Sequence, residues 1–308
     1  MSRIRIATRE SQLALWQAQE VARLLRQFHP DIDIEIIGMT TQGDRFLQAS
    51  LAAAGGKGLF VKELEQCLLD DTADIAVHSM KDVPFELPES LEINTILERE
   101  DPRDAFVSNK YTSLDELPNN AIVGTSSTRR ECQLKALRSD LNIQPLRGNV
   151  NTRLSKLDDD QYDAIILASA GLKRLGFSER IASVIDINTS LPAIGQGAIG
   201  IECRQQDDLT QSLLKPLHHE VTALSVSAER AISTALSANC HLPIAAHAYQ
   251  KEDSIELAAL VGLPDGSKLI RSNASGKSAE ISNVTGAVID DLVNHGAYEL
   301  VDSLRNNA

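Results

Sequence analysis

The chain has 308 residues, 43% of them hydrophobic, and a formal net charge of −13. That length supports two or three domains with a sizeable core, while the acidic balance and an aromatic content of only 4% exclude, as first readings, a nucleic-acid or membrane-surface binder. The opening MSRIRIATRESQ lacks the apolar core of a signal peptide, and no apolar run approaches the roughly 20 residues of a membrane span. Cys67, Cys132, Cys203 and Cys240 are too dispersed for a disulfide framework or a zinc site, so a cytoplasmic protein is expected.

The first half alternates strand and helix. Arg3–Ala7 reads as a strand with Ile4 and Ile6 on one face. From Ser11 to Phe28, Leu13, Trp16, Val21, Leu24, Leu25 and Phe28 have the spacing of an amphipathic helix, which Pro30 ends. Ile32–Met39 alternates as a second strand, Gly58–Leu69 has helical spacing, and ADIAVHS at 73–79 is a short buried strand. A polar, hinge-like stretch, Glu98–Asp104, contains Pro102. The pattern then restarts with strand Ala121–Gly124, helix Thr128–Leu137, strand Gln144–Leu146, helix Val150–Leu157 and strand Tyr162–Ala168.

This alternation predicts βαβ units with parallel sheets, and two α/β domains facing a cleft. After about residue 220 a helix, Thr222–Leu236, leads to Cys240; Ile255–Gly262 and Lys268–Ser272 flank a Pro264-Asp265-Gly266 turn, and helical patterns with a stop at Gly296 close the chain. The expected organisation is α/β overall: residues 1–97 with 198–217 as one α/β domain, 103–191 as a second, arginine-rich one, and 220–308 as a smaller α+β domain.

Two glycine motifs do not meet the requirements of phosphate binding. Gly195-Gln196-Gly197-Ala198-Ile199-Gly200 matches GxGxxG but runs into IGIECR, a strand pattern, where the dinucleotide motif needs a helix N-terminus. Gly55-Gly56-Lys57-Gly58 lacks the leading Gly and trailing Ser/Thr of a P-loop. His218 and His219 read as solvated helix residues, and no metal-ligand spacing occurs among the histidines.

The charge balance reverses between residues 125 and 175, where nine Lys/Arg face six Asp/Glu, a net +3. Arg129 and Arg130 follow the strand IVG and the turn TSS, Arg147 ends the next strand, Arg153 lies in the first turn of the following helix, and Arg174 comes shortly after AIILA. In parallel α/β sheets the carboxyl ends of strands line the ligand crevice, so these five would converge there. Guanidinium forks grip carboxylates through paired bonds, each contributing about 1.5–3 kcal/mol. A ligand with several carboxylates or phosphates fits them; the bland alternative is surface pairing with acids.

His78-Ser79-Met80-Lys81-Asp82-Val83-Pro84 follows the buried strand DIAV. Its Lys–Asp pair is either an ordinary salt bridge or an acid facing the crevice, placed to stabilise a cation formed on the ligand. Cys240 comes after a helix, where the dipole raises a thiol pKa, so an activated nucleophile is disfavoured. A buried structural cysteine and a covalent tether both stay open.

At these residues the sequence resembles the hydroxymethylbilane synthase (porphobilinogen deaminase) family. The similarity runs through IATRESQLALWQA (6–18), GGKGLFVKELE (55–65), DIAVHSMKDVP (74–84), EREDPRDAF (98–106), VGTSSTRR (123–130), LRGNVNTRLSKL (146–157), AGLKRLG (170–176) and GQGAIGIECR (195–204). It implies a transferase that removes ammonia from porphobilinogen and couples four of the resulting pyrroles head to tail. It also implies a dipyrromethane primer bound through a thioether, with Cys240 as attachment site and Asp82 as catalytic acid. Arg9, Arg129, Arg130, Arg147, Arg153 and Arg174 would hold acetate and propionate arms, with Ser11, Gln17, Lys81, Thr125, Ser127 and Gln196 around them.

The fold it implies has two lobes like those of a periplasmic binding protein, a third domain carrying Cys240, and residues 42–58 as a cover. A monomer is implied, passing its product to uroporphyrinogen-III synthase, with no nucleic-acid or membrane partner. The resemblance departs at Ala238-Asn239, where small residues, commonly Gly-Gly, precede the cysteine in the family, and at Ala53, where the family often has lysine. The competing classes are a non-catalytic polycarboxylate binder, which needs neither Asp82 nor Cys240, and a cysteine hydrolase, which needs an activated Cys240.

Overall fold

A computed structural model describes residues 3–45, 58, 60–237 and 242–306. In chain order the elements are β1 (Arg3–Arg9), α1 (Gln12–Phe28), β2 (Asp33–Met39), α2 (Gln42–Arg45), α3 (Lys62–Leu69), β3 (Ile75–Ser79), β4 (Leu91–Ile96), β5 (Asp104–Val107), β6 (Ile122–Gly124), α4 (Thr128–Leu137), β7 (Asn142–Gln144), α5 (Val150–Asp158), β8 (Ala164–Ala168), α6 (Ser169–Arg174) and β9 (Ser183–Val184). They continue with β10 (Ile199–Arg204), α7 (Asp208–Leu214), α8 (Glu220–Ala235), β11 (Ile244–Lys251), β12 (Ser254–Gly262), β13 (Leu269–Lys277), α9 (Ile281–Asn294) and α10 (Ala297–Asn306).

The chain divides into two units: residues 1–100 with 198–224, and 101–197 with 225–308. The expected first domain falls within the first unit. The expected second domain, and the third from residue 225 onward, share the other.

The first unit is built on a five-stranded sheet in the order β2-β1-β3-β10-β4. Ile4 and Ile6 alternate inward on β1 and meet Ala18, Val21, Ala22 and Leu25, the apolar stripe of α1. Each large aliphatic side chain buried this way contributes about 1.5–3 kcal/mol, which overrides the weak intrinsic preference of so short a strand. Ser11 caps α1, accepting from Ala14 N.

The second unit has a five-stranded sheet, β7-β6-β8-β5-β9, and a three-stranded antiparallel sheet, β11-β12-β13. Ala105, Val107, Ile165 and Leu167 on one face pack with Leu154, Leu157 and Leu172 of α5 and α6, while Phe106, Val123 and Ile166 pack with Leu134 of α4 on the other. The back of α4 meets the small sheet through Cys132, which is buried with Ala245 and Leu260. Gly266 has φ +73, and a Cβ there would run into the α4 backbone at Ala136, so the β12–β13 turn must be glycine at that point.

Both larger sheets are mixed, which corrects the expectation of parallel sheets. β1, β2 and β3 are parallel, as are β6, β7 and β8. β10 runs antiparallel to β3 and β4, and β5 antiparallel to β8 and β9. The first sheet is mixed because β10 lies between β3 and β4 and runs against both, the second because β5, which the pattern did not single out, lies between β8 and β9 and runs against both. β5 in particular opens inside the expected polar hinge, because Asp104 is its first residue and lies fully buried. The expected strand Gln144–Leu146 sits earlier, at Asn142–Gln144, and the expected helix Gly58–Leu69 begins only at Lys62. His218 and His219 are not solvated helix positions: they precede α8, half-buried, with His218 Nδ1 accepting from Ile96 N and His219 Nδ1 2.8 Å from Thr222 Oγ1. Among the described residues no helix is long and apolar enough to cross a membrane, and no group of His, Cys, Asp or Glu could hold a metal ion.

Candidate active site

In the first unit, β1 and β3 end at the same edge of the sheet. Past β3 the chain tightens into a single 3-10 turn, Met80–Asp82, with Val83 N donating to Met80 O at 3.3 Å. Met80 is buried and anchors the turn: its backbone N–H reaches Ala198 O at 3.0 Å, and its thioether occupies the space where a side chain at position 200 would stand. That contact gives the last glycine of the GxGxxG string its reason, which is close packing under the turn. Lys81 and Asp82 are left half-buried on it.

Gln17, buried on α1, donates to Ser79 Oγ at 2.8 Å and ties the helix to the residue before the turn. Beneath it His78 Nε2 lies 2.8 Å from Glu202 Oε2, both side chains almost wholly buried. Burial, and then the neighbouring Glu202 carboxylate, push the Glu65 carboxyl up. Arg9, at the end of β1, pairs with Asp44 of α2 and lies 4.3 Å from the Phe60 ring centroid, a cation–π geometry. Burial would raise the Asp44 carboxyl; hydrogen bonds from Arg9 and Thr41 outweigh it and hold the group below its ordinary value.

In the second unit, the carboxyl ends of β6, β7 and β8 share an edge, and the antiparallel β5 brings Asp104 to that edge, opposite Ala168. The loop after β6 builds a cap: Ser127 N donates to Thr125 Oγ1 at 3.1 Å, and Ser127 Oγ accepts from Arg130 N at 3.4 Å to start α4. The first turn of α4 then points Arg129 and Arg130 inward. Arg129 Nη1 and Nη2 lie 2.8 and 3.2 Å from the two Asp104 oxygens; Arg130 Nε and Nη2 lie 3.0 and 2.8 Å from Oδ1. Gln196 Nε2 at 3.0 Å and Ser190 Oγ at 3.1 Å complete the shell around Asp104. Burial alone would raise this carboxyl; the two guanidinium charges outweigh it, so Asp104 stays ionised far below the usual carboxylate range.

The sequence pattern left Arg129 and Arg130 as either ligand forks or surface arginines paired with acids. The structure gives each an internal partner, and leaves the cluster with two cations on one anion. Arg174, at the end of α6, donates from Nη2 to Gly197 O at 2.7 Å, which brings it beside Gln196. Arg147 lies on the β7–α5 connection and Arg153 in the first turns of α5: Arg153 Nε donates to Gly148 O at 2.8 Å, and Lys156 Nζ to Arg147 O at 3.2 Å. Asp104 is the functional residue that sequence reasoning missed. Its signal was an acid opening the apolar string Ala105-Phe106-Val107, a position where a charge persists only if paired. Cys240, Ala238, Asn239, Ala53 and residues 46–57 of the expected cover lie outside the described residues.

The donor chemistry of this edge fits a ligand that carries several carboxylates and N–H groups. Arg129 Nε, Ser169 Oγ and the acceptor Gln196 Oε1 are buried without a partner among the described residues. The surplus guanidinium charge beside them is what an anionic arm would neutralise.

Residues 4–212 match the family model for porphobilinogen deaminase, dipyromethane cofactor binding domain, and residues 223–289 match the model for the porphobilinogen deaminase C-terminal domain. Solved structures of similar fold include a putative methionine-binding lipoprotein from Bacillus subtilis, 11% identical over 72% of this chain and 92% of that one, with a TM-score of 0.45. They also include the Bordetella pertussis BvgS VFT2 domain, 17% identical over 74% and 91%, TM-score 0.43. The substrate binding domain of a putative molybdenum ABC transporter from Clostridium difficile is 10% identical over 71% and 93%, TM-score 0.46. At these identities and scores such likenesses carry no argument about ligand or activity.

Proposed function

The chain belongs to the porphobilinogen deaminase family, and on that premise we propose how its own side chains divide the work. The family activity is a transferase reaction: porphobilinogen is deaminated and polymerised into the linear tetrapyrrole hydroxymethylbilane, primed by dipyrromethane. The dipyrromethane, when bound, supplies the pyrrole carbon from which the chain grows.

Asp82 is the catalytic acid. Its carboxylate accepts from pyrrole N–H groups and stabilises the cation left when porphobilinogen loses ammonia. Lys81 sits on the same turn, Gln17 ties α1 to Ser79 before it, Ser11 caps α1, and Arg9 holds a carboxylate arm at the same sheet edge. In the second unit Arg147, Arg153 and Arg174 grip acetate and propionate arms through paired bonds, while Arg129 and Arg130, held on Asp104, attract those arms by their surplus charge, with Thr125 and Ser127 shaping the loop and Gln196 accepting a ring N–H. Cys240 carries the primer through a thioether. The protein works as a cytoplasmic monomer and passes its product to uroporphyrinogen-III synthase.

The observation that carries this reading is the surplus of buried guanidinium charge around Asp104, which a dicarboxylate pyrrole neutralises. Intact-mass measurement tests it. Protein from cells making porphobilinogen is expected to exceed its sequence mass by two pyrrole units, with the excess lost in Cys240→Ser; an unmodified wild-type mass favours a non-catalytic polycarboxylate binder.

A further inference from the structure

Glu229 is a fully buried carboxylate on α8 that the assignment above leaves without a task. Its two oxygens are shared between distant backbone segments. Oε2 accepts from Gly195 N at 2.7 Å and Oε1 from Ala248 N on β11 at 2.8 Å, with His247 Nδ1 3.3 Å from the same Oε1. The segment it grips at one end is unusual. Gly195 and Gly197 both have left-handed backbones, φ 70° and 87°, in a turn whose Gln196 N donates to Ala193 O at 2.9 Å. Between them Gln196 reaches Asp104 Oδ1 and Pro102 O, and Gly197 O receives the Arg174 guanidinium.

We propose that Glu229 is a positioning residue: it holds the Gly195–Gly197 turn against β11, and the turn in turn aims Gln196 and Arg174 at the ligand. A carboxylate suits this task better than an amide, because both of its oxygens accept and each N–H it takes is a charge-assisted bond. Glutamine could serve one of the two N–H groups but would turn an NH2 toward the other. The inference rests on the reading of Gln196 and Arg174 as ligand contacts, and its test separates the two.

The test uses Glu229→Gln in the full-length protein carrying its primer, with load checked by intact mass. Amide hydrogen exchange across 195–197 is expected to quicken, and kcat/KM for porphobilinogen to fall about tenfold, chiefly through KM. In a cycle with Gln196→Ala and Arg174→Ala combined, adding Glu229→Gln is expected to lower kcat/KM no further than that pair alone; independent, multiplying losses would mean that Glu229 acts by general stability and would overturn the proposal. Unchanged exchange at 195–197 also overturns it. If Arg174→Ala and Gln196→Ala each leave KM unaltered, the ligand assignment fails, and the aiming proposed for Glu229 falls with it. Faster exchange would then leave only the turn-holding half standing. Should Glu229→Gln not fold, Gly195→Ala strains the same turn without touching the carboxylate; a raised KM with primer retained supports the proposal, and an unchanged KM refutes it.

Discussion

The two sheet edges solve opposite electrostatic problems. At the edge of the first unit, Asp82 rides half-exposed on a turn held by a neutral hydrogen bond, Gln17 to Ser79, and by the packing of Met80. Beneath it the contact of His78 with Glu202 is sealed from solvent. At the edge of the second unit, positive charge is gathered and buried, and Asp104 is placed inside it as a permanent counter-ion. An acid with the role proposed for Asp82 can be left to solvent until substrate arrives. A buried cationic edge cannot, since an uncompensated guanidinium in the interior costs several kcal/mol, so it must carry an anion of its own and keep only the surplus for a ligand.

Removing the internal anion should therefore cost far more fold stability than removing the chemical acid. Asp104→Ala is expected to lose about 3–5 kcal/mol in denaturant unfolding, because it strands two buried guanidinium groups, and to yield protein whose intact mass lacks the primer. A loss comparable with that of a surface substitution would break the contrast. Asp82→Asn should do the reverse: unfolding midpoint and primer mass unchanged, turnover down by about 10²–10³. Near wild-type turnover would remove Asp82 from its role.

The smallest effect sharpens the contrast at the rim of the cationic edge. Hydrogen bonds from Arg103, assisted by Lys173, hold the Asp101 carboxyl down to about 2 against the pull of burial. A carboxyl depressed in the folded state contributes stability that is present above its unfolded value near 4 and is lost as pH falls through the folded value. Stability should thus fall between about pH 4 and pH 2, and Asp101→Asn should flatten that slope. Identical acid-unfolding curves for the two proteins would show that Asp101 makes no such contribution.

Much of the fold was legible because its periodicity is strong. Ile4 and Ile6 with the stripe Val21, Leu24 and Leu25 identify β1 and α1, and the Thr128–Leu137 helix appears at its observed bounds. The strands that escaped, β4, β5, β9 and β11, are short, alternate weakly or open with a charge, and that charge is why Asp104 read as hinge. Reading the sheets of the two α/β domains as parallel failed for a related reason: a return strand such as β10, inserted between β3 and β4 from far along the chain, leaves no local mark of its direction. The candidate residues were legible as residue types at strand ends, but not their partners.

The amino-acid sequence by itself determined the family, the strand-end placing of Asp82 and the arginines, and the failure of the GxGxxG string as a nucleotide motif, because each depends on local order along the chain. Only the tertiary structure decided which guanidinium groups are already paired, that Gly200 yields its space to Met80, and that Glu229 grips Gly195 and Ala248. Those outcomes rest on contacts between residues tens of positions apart, whose energies come from burial and complementary charge, quantities that exist only once the chain has folded.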